Sequence, residues 1–201
     1  MSGDERPGPA TVADFEAKYR EDGDPWGYRH SWYEHRKYAV TLACLPRERY
    51  RSVWEPACSI GVLTDLLAGR ADAVLASDGS PTAVAAARRR AGAESLSQKR
   101  IDVSVQVLPA RPALDPGGAD LVVLSEILYY LDDSDRAQVL EHAGEVLAPG
   151  GDLVVVHWRP HPHDAHLSGD AANAWVRERL GWPVLVRHDD EHFVLDVLRR
   201  P

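Results

Sequence analysis

The sequence predicts an α/β fold with one seven-stranded, mostly parallel sheet, helices on both faces and a C-terminal antiparallel hairpin. Short apolar runs alternate with helical stretches, which is typical of βαβ units and a parallel sheet. The runs Leu121–Leu124 and Val154–Val156 are apolar at every position, as in central strands that are covered on both faces. Only a short polar segment separates the last two runs, which indicates the hairpin.

The elements follow in order along the chain. Two N-terminal helices are predicted, at Val12–Tyr19 and from Ser31 or Trp32 to Ala43, with Ser31 and Glu34 as a capping box. The strands are predicted at Ser52–Trp54, Ala73–Ser77, Val103–Val107, Leu121–Leu124, Leu153–His157, Val184–Val186 and Phe193–Leu198. The later helices are predicted at Val62–Ala68, Pro81–Ala91, Ser134–Leu147 and Gly169–Leu180.

The length of 201 residues favours a single domain. Residues 1–10 are rich in Pro and Gly and are predicted to be a disordered tail. Residues 11–45 form an N-terminal helical segment, and residues 46–201 form the α/β domain.

Charge and composition argue against a nucleic-acid or membrane partner. The formal net charge is -8 and the pI is about 5.6, whereas duplex nucleic-acid binders carry a basic field. No apolar run approaches the length of a membrane span, and the N-terminus has no apolar signal stretch, so we expect a cytoplasmic protein. The two cysteines, Cys44 and Cys58, indicate neither a disulfide framework nor a zinc site.

A histidine-rich segment carries the pattern His-x-His-x-x-His at His161, His163 and His166. It resembles part of a metallo-β-lactamase zinc signature, in which an acid stands directly before the last histidine. Here Ala165 takes that place and Asp164 comes one residue too early. We therefore expect a polar loop at the rim of the substrate-binding pocket and no metal.

The loop after the first strand is a candidate ligand site. Small residues stand two positions apart at Ala57, Ser59 and Gly61. A dinucleotide fingerprint would need a small residue at position 62, where this sequence has Val62. Asp78 ends the next strand, at the separation expected for a carboxylate that accepts hydrogen bonds from ribose hydroxyls. Loop and acid together predict a nucleoside site, although such an acid can also cap the following helix.

Several motifs make the chain resemble a class I S-adenosylmethionine-dependent methyltransferase, and more narrowly the root-nodulation protein S family of N-methyltransferases. They are Asp24-Pro25-Trp26-Gly27, Ser31-Trp32-Tyr33-Glu34-His35-Arg36-Lys37, Glu55-Pro56-Ala57-Cys58-Ser59-Ile60-Gly61-Val62-Leu63-Thr64, Leu124-Ser125-Glu126-Ile127-Leu128-Tyr129-Tyr130-Leu131, Leu147-Ala148-Pro149-Gly150-Gly151 and His157-Trp158-Arg159. The resemblance implies a Rossmann-like fold, S-adenosyl-L-methionine as cofactor and S-adenosyl-L-homocysteine as product.

The resemblance also implies roles for individual residues. Glu55 would lie under the methionine ammonium, and Ser125 and Glu126 beneath the sulfonium. Residues 11–45 would form a lid over the cofactor, in which Arg36 or Lys37 could pair with the cofactor carboxylate. Ala57 replaces a usual glycine, so it fits without strain only at negative φ. The other implied cofactor contacts are Trp26, Tyr33, Cys58, Ser59, Gly61, Asp78, Gly79, Ser80, Val107 and Leu108.

The candidate catalytic residues are Glu126, Tyr129 and His157, which follow or end central strands. Glu126 is favoured as a proton acceptor, whereas His157 can equally be a hydrogen-bonded core histidine. We expect N-methylation of an amino sugar or related amine by a monomer or weak homodimer. The alternatives are O-methylation of a sugar or natural product, a nicotinamide-dependent oxidoreductase, and a non-catalytic cofactor sensor.

Overall fold

The computed structural model describes residues 8–93 and 100–201. Residues 1–7, where most of the disordered tail is predicted, lie outside the described residues. Ala10, at the end of that predicted tail, is held in place because its backbone N–H donates to the carbonyl of Asp164.

One sheet of seven strands organises the chain, in the order β3-β2-β1-β4-β5-β7-β6. The first five strands in that order are parallel, and β7 runs antiparallel to both β5 and β6. The predicted fold, with its C-terminal antiparallel hairpin, is confirmed. The strands are β1 (Tyr50–Pro56), β2 (Ala71–Asp78), β3 (Arg100–Val105), β4 (Ala119–Ser125), β5 (Leu147–Trp158), β6 (Val184–Asp189) and β7 (Phe193–Arg199).

The central strands are apolar because both of their faces are covered. Residues 121–124 of β4 have no exposed surface, and Val154 and Val155 of β5 have none either. Alternate side chains of β4 enter two separate apolar clusters, one on each face of the sheet. Burial on both faces removes the polar alternation that a half-exposed strand would show.

Six α-helices flank this sheet among the described residues, and each begins and ends within two residues of the predicted positions. They are α1 (Val12–Glu21), α2 (Trp32–Cys44), α3 (Val62–Ala68), α4 (Pro81–Ala93), α5 (Asp133–Val146) and α6 (Gly169–Leu180), with a short 3-10 turn at Leu128–Tyr130.

The capping box predicted for α2 is wrong. Ser31 makes no side-chain hydrogen bond at the helix N-terminus. Glu34 instead turns inward, where it is buried and pairs with Lys37. A capping box forms at α1, between Thr11 and Asp14.

The strand order reverses beside β1, with β2 on one side and β4 on the other. The loops that leave β1 and β4 therefore diverge and open a crevice at the carboxyl ends of the strands. Among residues 8–93 and 100–201, no helix is long and apolar enough to cross a membrane.

Candidate active site

A cavity of about 680 Å³ occupies this crevice. Its floor is the loops after β1, β2 and β4, and its cover comes from α1, α2 and the segment after β5. Thirteen of the predicted site residues line it: Trp26, Tyr33, Glu55, Ala57, Cys58, Ser59, Asp78, Gly79, Ser80, Leu108, Ser125, Glu126 and Tyr129. Four predicted residues do not: Arg36, Gly61, Val107 and His157.

The loop after β1 is held in a strained conformation. Ala57 and Ser59 have φ values of 57° and 53°, in the left-handed region that L-residues rarely occupy. The condition for an unstrained Ala57, a negative φ, is therefore not met. Strain of this kind persists where surrounding contacts hold it, and it is common at ligand sites.

Asp78 supplies part of those contacts. Its Oδ2 accepts a hydrogen bond of 2.8 Å from the N–H of Ser59, and its Oδ1 accepts one of 2.8 Å from the N–H of Ser80. Burial raises the pKa of Asp78, although these two hydrogen bonds oppose the shift. The carboxylate thus ties the loops after β1 and β2 together at the cavity wall.

Glu55 is a buried carboxyl group with a free oxygen. It is 2% exposed, and its Oε2 accepts no hydrogen bond from any residue that the structure describes. The pKa of Glu55 is raised to about 8, chiefly by burial and also by the nearby Asp78 charge, against the hydrogen bond of the Thr64 hydroxyl. A buried acceptor without a donor is costly, so this position favours a cationic ligand group.

Glu126 is half-buried, with 15% of its side chain exposed, and its carboxylate is fully engaged. It accepts hydrogen bonds from Lys37 Nζ at 2.6 Å, from the Tyr129 hydroxyl at 2.5 Å and from the Trp158 N–H at 2.8 Å. Burial alone would raise the pKa of Glu126, but the Lys37 charge and the hydrogen bonds from Lys37 and Tyr129 bring it below its ordinary value. The predicted role of proton acceptor is therefore poorly matched to this carboxylate.

His157 lies outside the cavity lining, which corrects its prediction as a catalytic residue. Its side chain is fully buried, and Nε2 accepts from the N–H of Leu128 while Nδ1 donates to the amide oxygen of Asn173. Burial lowers the pKa of His157, so the ring stays neutral. It is a hydrogen-bonded core histidine that supports the turn carrying Tyr129.

The prediction that Arg36 contacts the cofactor is also corrected. Its guanidinium lies 2.5 Å from Asp190 and over the ring of Phe193. Val107 does not flank the cavity, since β3 ends two residues earlier and its side chain is 49% exposed.

Gly61 serves helix packing instead of ligand contact. Its φ is 78°, and a Cβ there would lie 2.9 Å from the Cβ of Ala87. The glycine therefore allows α3 to begin close against α4.

The cavity also holds Glu34, which was not predicted to be a site residue, and Lys37, which was predicted only as a possible partner of the cofactor carboxylate. Glu34 and Lys37 project from α2 beside Glu126, and Lys37 is 1% exposed. Lys37 is already paired with two carboxylates, so its ammonium is not available to pair with the carboxylate of a cofactor. The sequence carried a signal for this cluster, because the polar residues Glu34, Lys37 and Thr41 recur at helical spacing on one face of α2. The structure shows that all three are buried.

Aromatic rings and histidines form the rim. The ring of Phe15 lies 4.9 Å from that of Tyr130 and 6.1 Å from that of Trp26, which in turn lies 5.4 Å from the ring of Tyr19. His161 and His163 line the cavity, whereas His166 does not. No group of three or more His, Cys, Asp or Glu side chains in the described ranges is arranged to hold a metal ion.

Comparisons with known proteins agree with this geometry. A family described as "Methyltransferase domain" matches residues 53–151. A solved structure from Pseudomonas syringae, assigned as a methyltransferase, is 38% identical, with a TM-score of 0.68; the match covers 85% of this chain and 100% of that one. This chain belongs to the class I S-adenosylmethionine-dependent methyltransferases.

Within this family the chain is similar to nodulation protein S. The Rhizobium tropici protein is 29% identical over 133 residues, which are 65% of this methyltransferase and 53% of the relative. The chain thus spans about half the length of that relative. The N-methyltransferase NodS of Bradyrhizobium japonicum WM9, solved with S-adenosyl-L-homocysteine, has a TM-score of 0.76 at 22% identity, covering 96% and 100% of the two chains. Family membership favours the methyltransferase over the nicotinamide-dependent alternative.

Proposed function

We propose that this methyltransferase binds S-adenosylmethionine in the cavity and transfers its methyl group to the nitrogen of a small-molecule amine, such as an amino sugar. The observation that carries the proposal is Glu55. Its buried carboxyl group lines the cavity and has one oxygen without a hydrogen-bond donor among the described residues, which suits the ammonium of a methionine portion. The raised pKa of Glu55 would fall when that cation arrives, which supplies binding free energy.

The other residues that would contact the methyl donor lie along the cavity wall beyond Glu55. Each oxygen of Asp78 accepts one backbone hydrogen bond and keeps a lone pair for a ribose hydroxyl. Beyond Asp78, Gly79 and Leu108 line the wall where the adenine would lie. We call this part of the cavity, from Glu55 to Leu108, the donor end.

Residues 11–45 would act as a lid over the donor end. The Tyr19 hydroxyl lies 2.6 Å from Ser59 Oγ, and Glu16 accepts hydrogen bonds from Ser80 Oγ and Thr82 Oγ1. Lys18 reaches the other side, where it pairs with Asp164 at 3.0 Å. These contacts hold α1 across the cavity.

When bound, the donor supplies a methyl group on a sulfonium, which is already activated for in-line displacement. The chain must therefore align the acceptor with that methyl and keep water out, so proximity is the main catalytic contribution. Ser125, the last residue of β4, and Glu126, the next residue, border the position of the methyl group, and Tyr129 is fixed by its hydrogen bond to Glu126.

The acceptor end of the cavity is lined by Glu34, Lys37, Glu126, Tyr129 and Trp158. Two carboxylates and one ammonium leave an excess of negative charge there, which favours a cationic amine over a neutral hydroxyl. Trp158 and the rim aromatics offer flat apolar faces that suit a sugar ring. The similar NodS protein of Bradyrhizobium japonicum WM9 is an N-methyltransferase, which supports the same choice.

Donor binding is tested by calorimetric titration with S-adenosylhomocysteine. Asp78→Ala should lose about 1–3 kcal/mol of binding free energy, because the ribose hydroxyl and two loop amides lose their acceptor. Asp72→Ala is the matched control, since Asp72 is exposed and pairs with Arg49 at the far end of β2. Equal affinities in all three proteins would remove Asp78 from the site. Tight binding of NAD instead would reject the proposal.

Acceptor choice is tested by transfer of a labelled methyl group to D-glucosamine and its short β-1,4 oligomers. N-acetylglucosamine is the control, because it keeps the hydroxyls and loses the basic nitrogen. We expect methylation of the free amines only. Methylation of both sugars would establish O-methylation, and binding of the donor without turnover of any acceptor would support a cofactor sensor.

A further inference from the structure

Three ionisable side chains meet at the acceptor end. Lys37 Nζ lies 2.6 Å from Oε1 of Glu126, 3.1 Å from Oε1 of Glu34 and 3.0 Å from Oε2 of Glu34. The Lys37 side chain is 2% exposed, so this pairing takes place almost without water. Two carboxylates share one ammonium, and a surplus buried charge is costly. The cluster is therefore a place where a proton is readily taken up.

The two carboxylates differ in their hydrogen bonds. Glu126 accepts from three donors on three segments, and its pKa is lowered in spite of burial. Glu34 accepts a hydrogen bond from Lys37 at Oε1, whereas its Oε2 accepts none of good geometry from any described residue. Burial raises the pKa of Glu34, although Lys37 and the Tyr38 hydroxyl oppose the shift. The proton that the cluster takes up should therefore settle on Glu34.

The charged and titratable neighbours of Glu34 come from three parts of the chain. On its own helix they are Lys37, Tyr33 and Tyr38, the loop before α2 brings Tyr28, and the loop after β4 brings Glu126. The three tyrosines are neutral phenols, since burial raises the pKa of each of them. The ammonium and the second carboxylate are thus the charges that set the protonation of Glu34.

We propose that Glu34 is the catalytic proton acceptor for the amine substrate, an inference that rests on the function proposed above. The substrate enters as an ammonium and gives one N–H proton to Oε2 of Glu34, which becomes a neutral carboxylic acid. The freed nitrogen lone pair forms the new N–C bond as the C–S bond of the bound donor breaks. The methylated amine leaves as an ammonium, and Glu34 returns its proton to water.

Lys37 and Glu126 act as positioning residues in this scheme. Their 2.6 Å contact keeps Glu126 ionised, so that its negative charge draws the substrate cation into place. The ammonium of Lys37 is held between the carboxylates and cannot approach the substrate nitrogen without losing both partners. Neutralisation of the substrate by Glu34 then removes the cation that would otherwise resist methyl transfer.

The kinetic test follows the pH dependence of methyl transfer to D-glucosamine. Glu34→Gln should lower kcat/KM about 100- to 10,000-fold near pH 7, the usual contribution of a general base. The loss should shrink as pH rises past the pKa of the amine, because the substrate then arrives unprotonated. Glu34→Asp, which keeps a carboxylate, should recover part of the rate. Affinity for S-adenosylhomocysteine should stay at the wild-type value in both variants.

Two comparison variants give the test its controls. Glu126→Gln should reduce the rate by a factor that persists at every pH, as expected of a positioning residue. Glu141→Gln, on the exposed face of α5, should match wild type throughout. A Glu34→Gln loss that is equal at every pH, or no loss at all, would overturn the proposal.

A measurement without turnover separates this inference from the proposed function. Carbon-13 resonances of the glutamate side-chain carboxyls are followed by NMR, and the Glu34 and Glu126 signals are assigned from their loss in the Gln variants. Glu34 should titrate at a higher pH than Glu126, and D-glucosamine with S-adenosylhomocysteine should lower its midpoint, while N-acetylglucosamine should not. The reverse order of titration would overturn the role of Glu34 even if amines are methylated. Absence of amine turnover with the expected titration would instead reject the proposed function.

Discussion

The two ends of the cavity are built in different ways. The donor end consists of loops that leave adjacent parallel strands, and its key hydrogen bonds join Asp78 to backbone N–H groups of Ser59 and Ser80. The acceptor end consists of side chains from segments far apart in sequence, and the Lys37–Glu126 pair spans 89 positions. One end depends on backbone conformation, and the other depends on buried charge.

This difference predicts different responses to mutation. A backbone-built site stores strain in φ values such as those of Ala57 and Ser59, each worth about 1–2 kcal/mol in the left-handed region. A site built on buried charges tolerates the loss of one partner poorly, because the remaining charge keeps its desolvation cost. Substitutions at the acceptor end should therefore have larger effects on folding than those at the donor end.

The largest effect is expected for Lys37→Met. Loss of the ammonium leaves the carboxylates of Glu34 and Glu126 without their shared counter-charge, so the free energy of unfolding should fall by about 3–5 kcal/mol at pH 8. The loss should be smaller at pH 5, because both carboxyls can then take up protons. Urea denaturation at the two pH values measures this. The control is Lys18→Met, whose pair with Asp164 is 40% exposed on the lysine side, with an expected loss of about 1 kcal/mol or less.

The next effect concerns the donor end and its dependence on pH. The pKa of Glu55 is about 8 in the free protein, and a ligand ammonium would lower it. The complex then holds fewer protons than the free protein, so affinity for S-adenosylhomocysteine should rise with pH. Between pH 6 and pH 8 the expected gain is about tenfold per unit at most. Calorimetry in buffers of different ionisation enthalpy should also detect proton release at pH 7.

Glu55→Gln provides the comparison for that titration, since it keeps the shape of the side chain without its charge. The variant should bind more weakly at pH 8 and should lose the rise in affinity. If the wild-type affinity does not change from pH 6 to pH 8, Glu55 does not meet the ammonium.

A smaller effect on the free energy of unfolding is expected for His157→Leu. His157 lies beneath the boundary between the donor and acceptor ends of the cavity. The substitution leaves the Leu128 N–H and the Asn173 Oδ1 without buried partners, at a cost of about 1–3 kcal/mol in unfolding free energy. Donor affinity should not change. Thermal and urea unfolding measure the first effect, and calorimetry the second. Unaltered stability together with abolished methyl transfer would restore His157 as a catalytic residue.

The smallest effect is expected for Ala57→Gly. Glycine removes the strain at a φ of 57°, but it adds entropy to the unfolded chain, so the net gain in unfolding free energy should be about 1 kcal/mol or less. Ala85→Gly, on the exposed face of α4, should instead lose about 1 kcal/mol. Equal losses for both variants would argue against strain in the loop after β1.

Much of the donor end could be predicted from the sequence, because its residues follow strands that are themselves recognisable. Asp78 and Glu55 end or adjoin apolar runs, and adjacent parallel strands place their carboxyl ends together. The predictions that Arg36 and Val107 contact the cofactor were wrong, because the directions of these side chains depend on how α2 and the end of β3 are oriented. Arg36 turns to Asp190, and Val107 lies in the loop beyond the end of β3.

The sequence by itself determined the seven-stranded sheet, its C-terminal hairpin and the loop of Ala57 and Ser59, since these depend on apolar periodicity and local spacing. Only the tertiary structure decided that Glu34 leaves the helix cap to share Lys37 with Glu126, and that His157 is satisfied within the core. A buried polar group takes whichever partner the fold brings within reach, and here those partners come from distant segments.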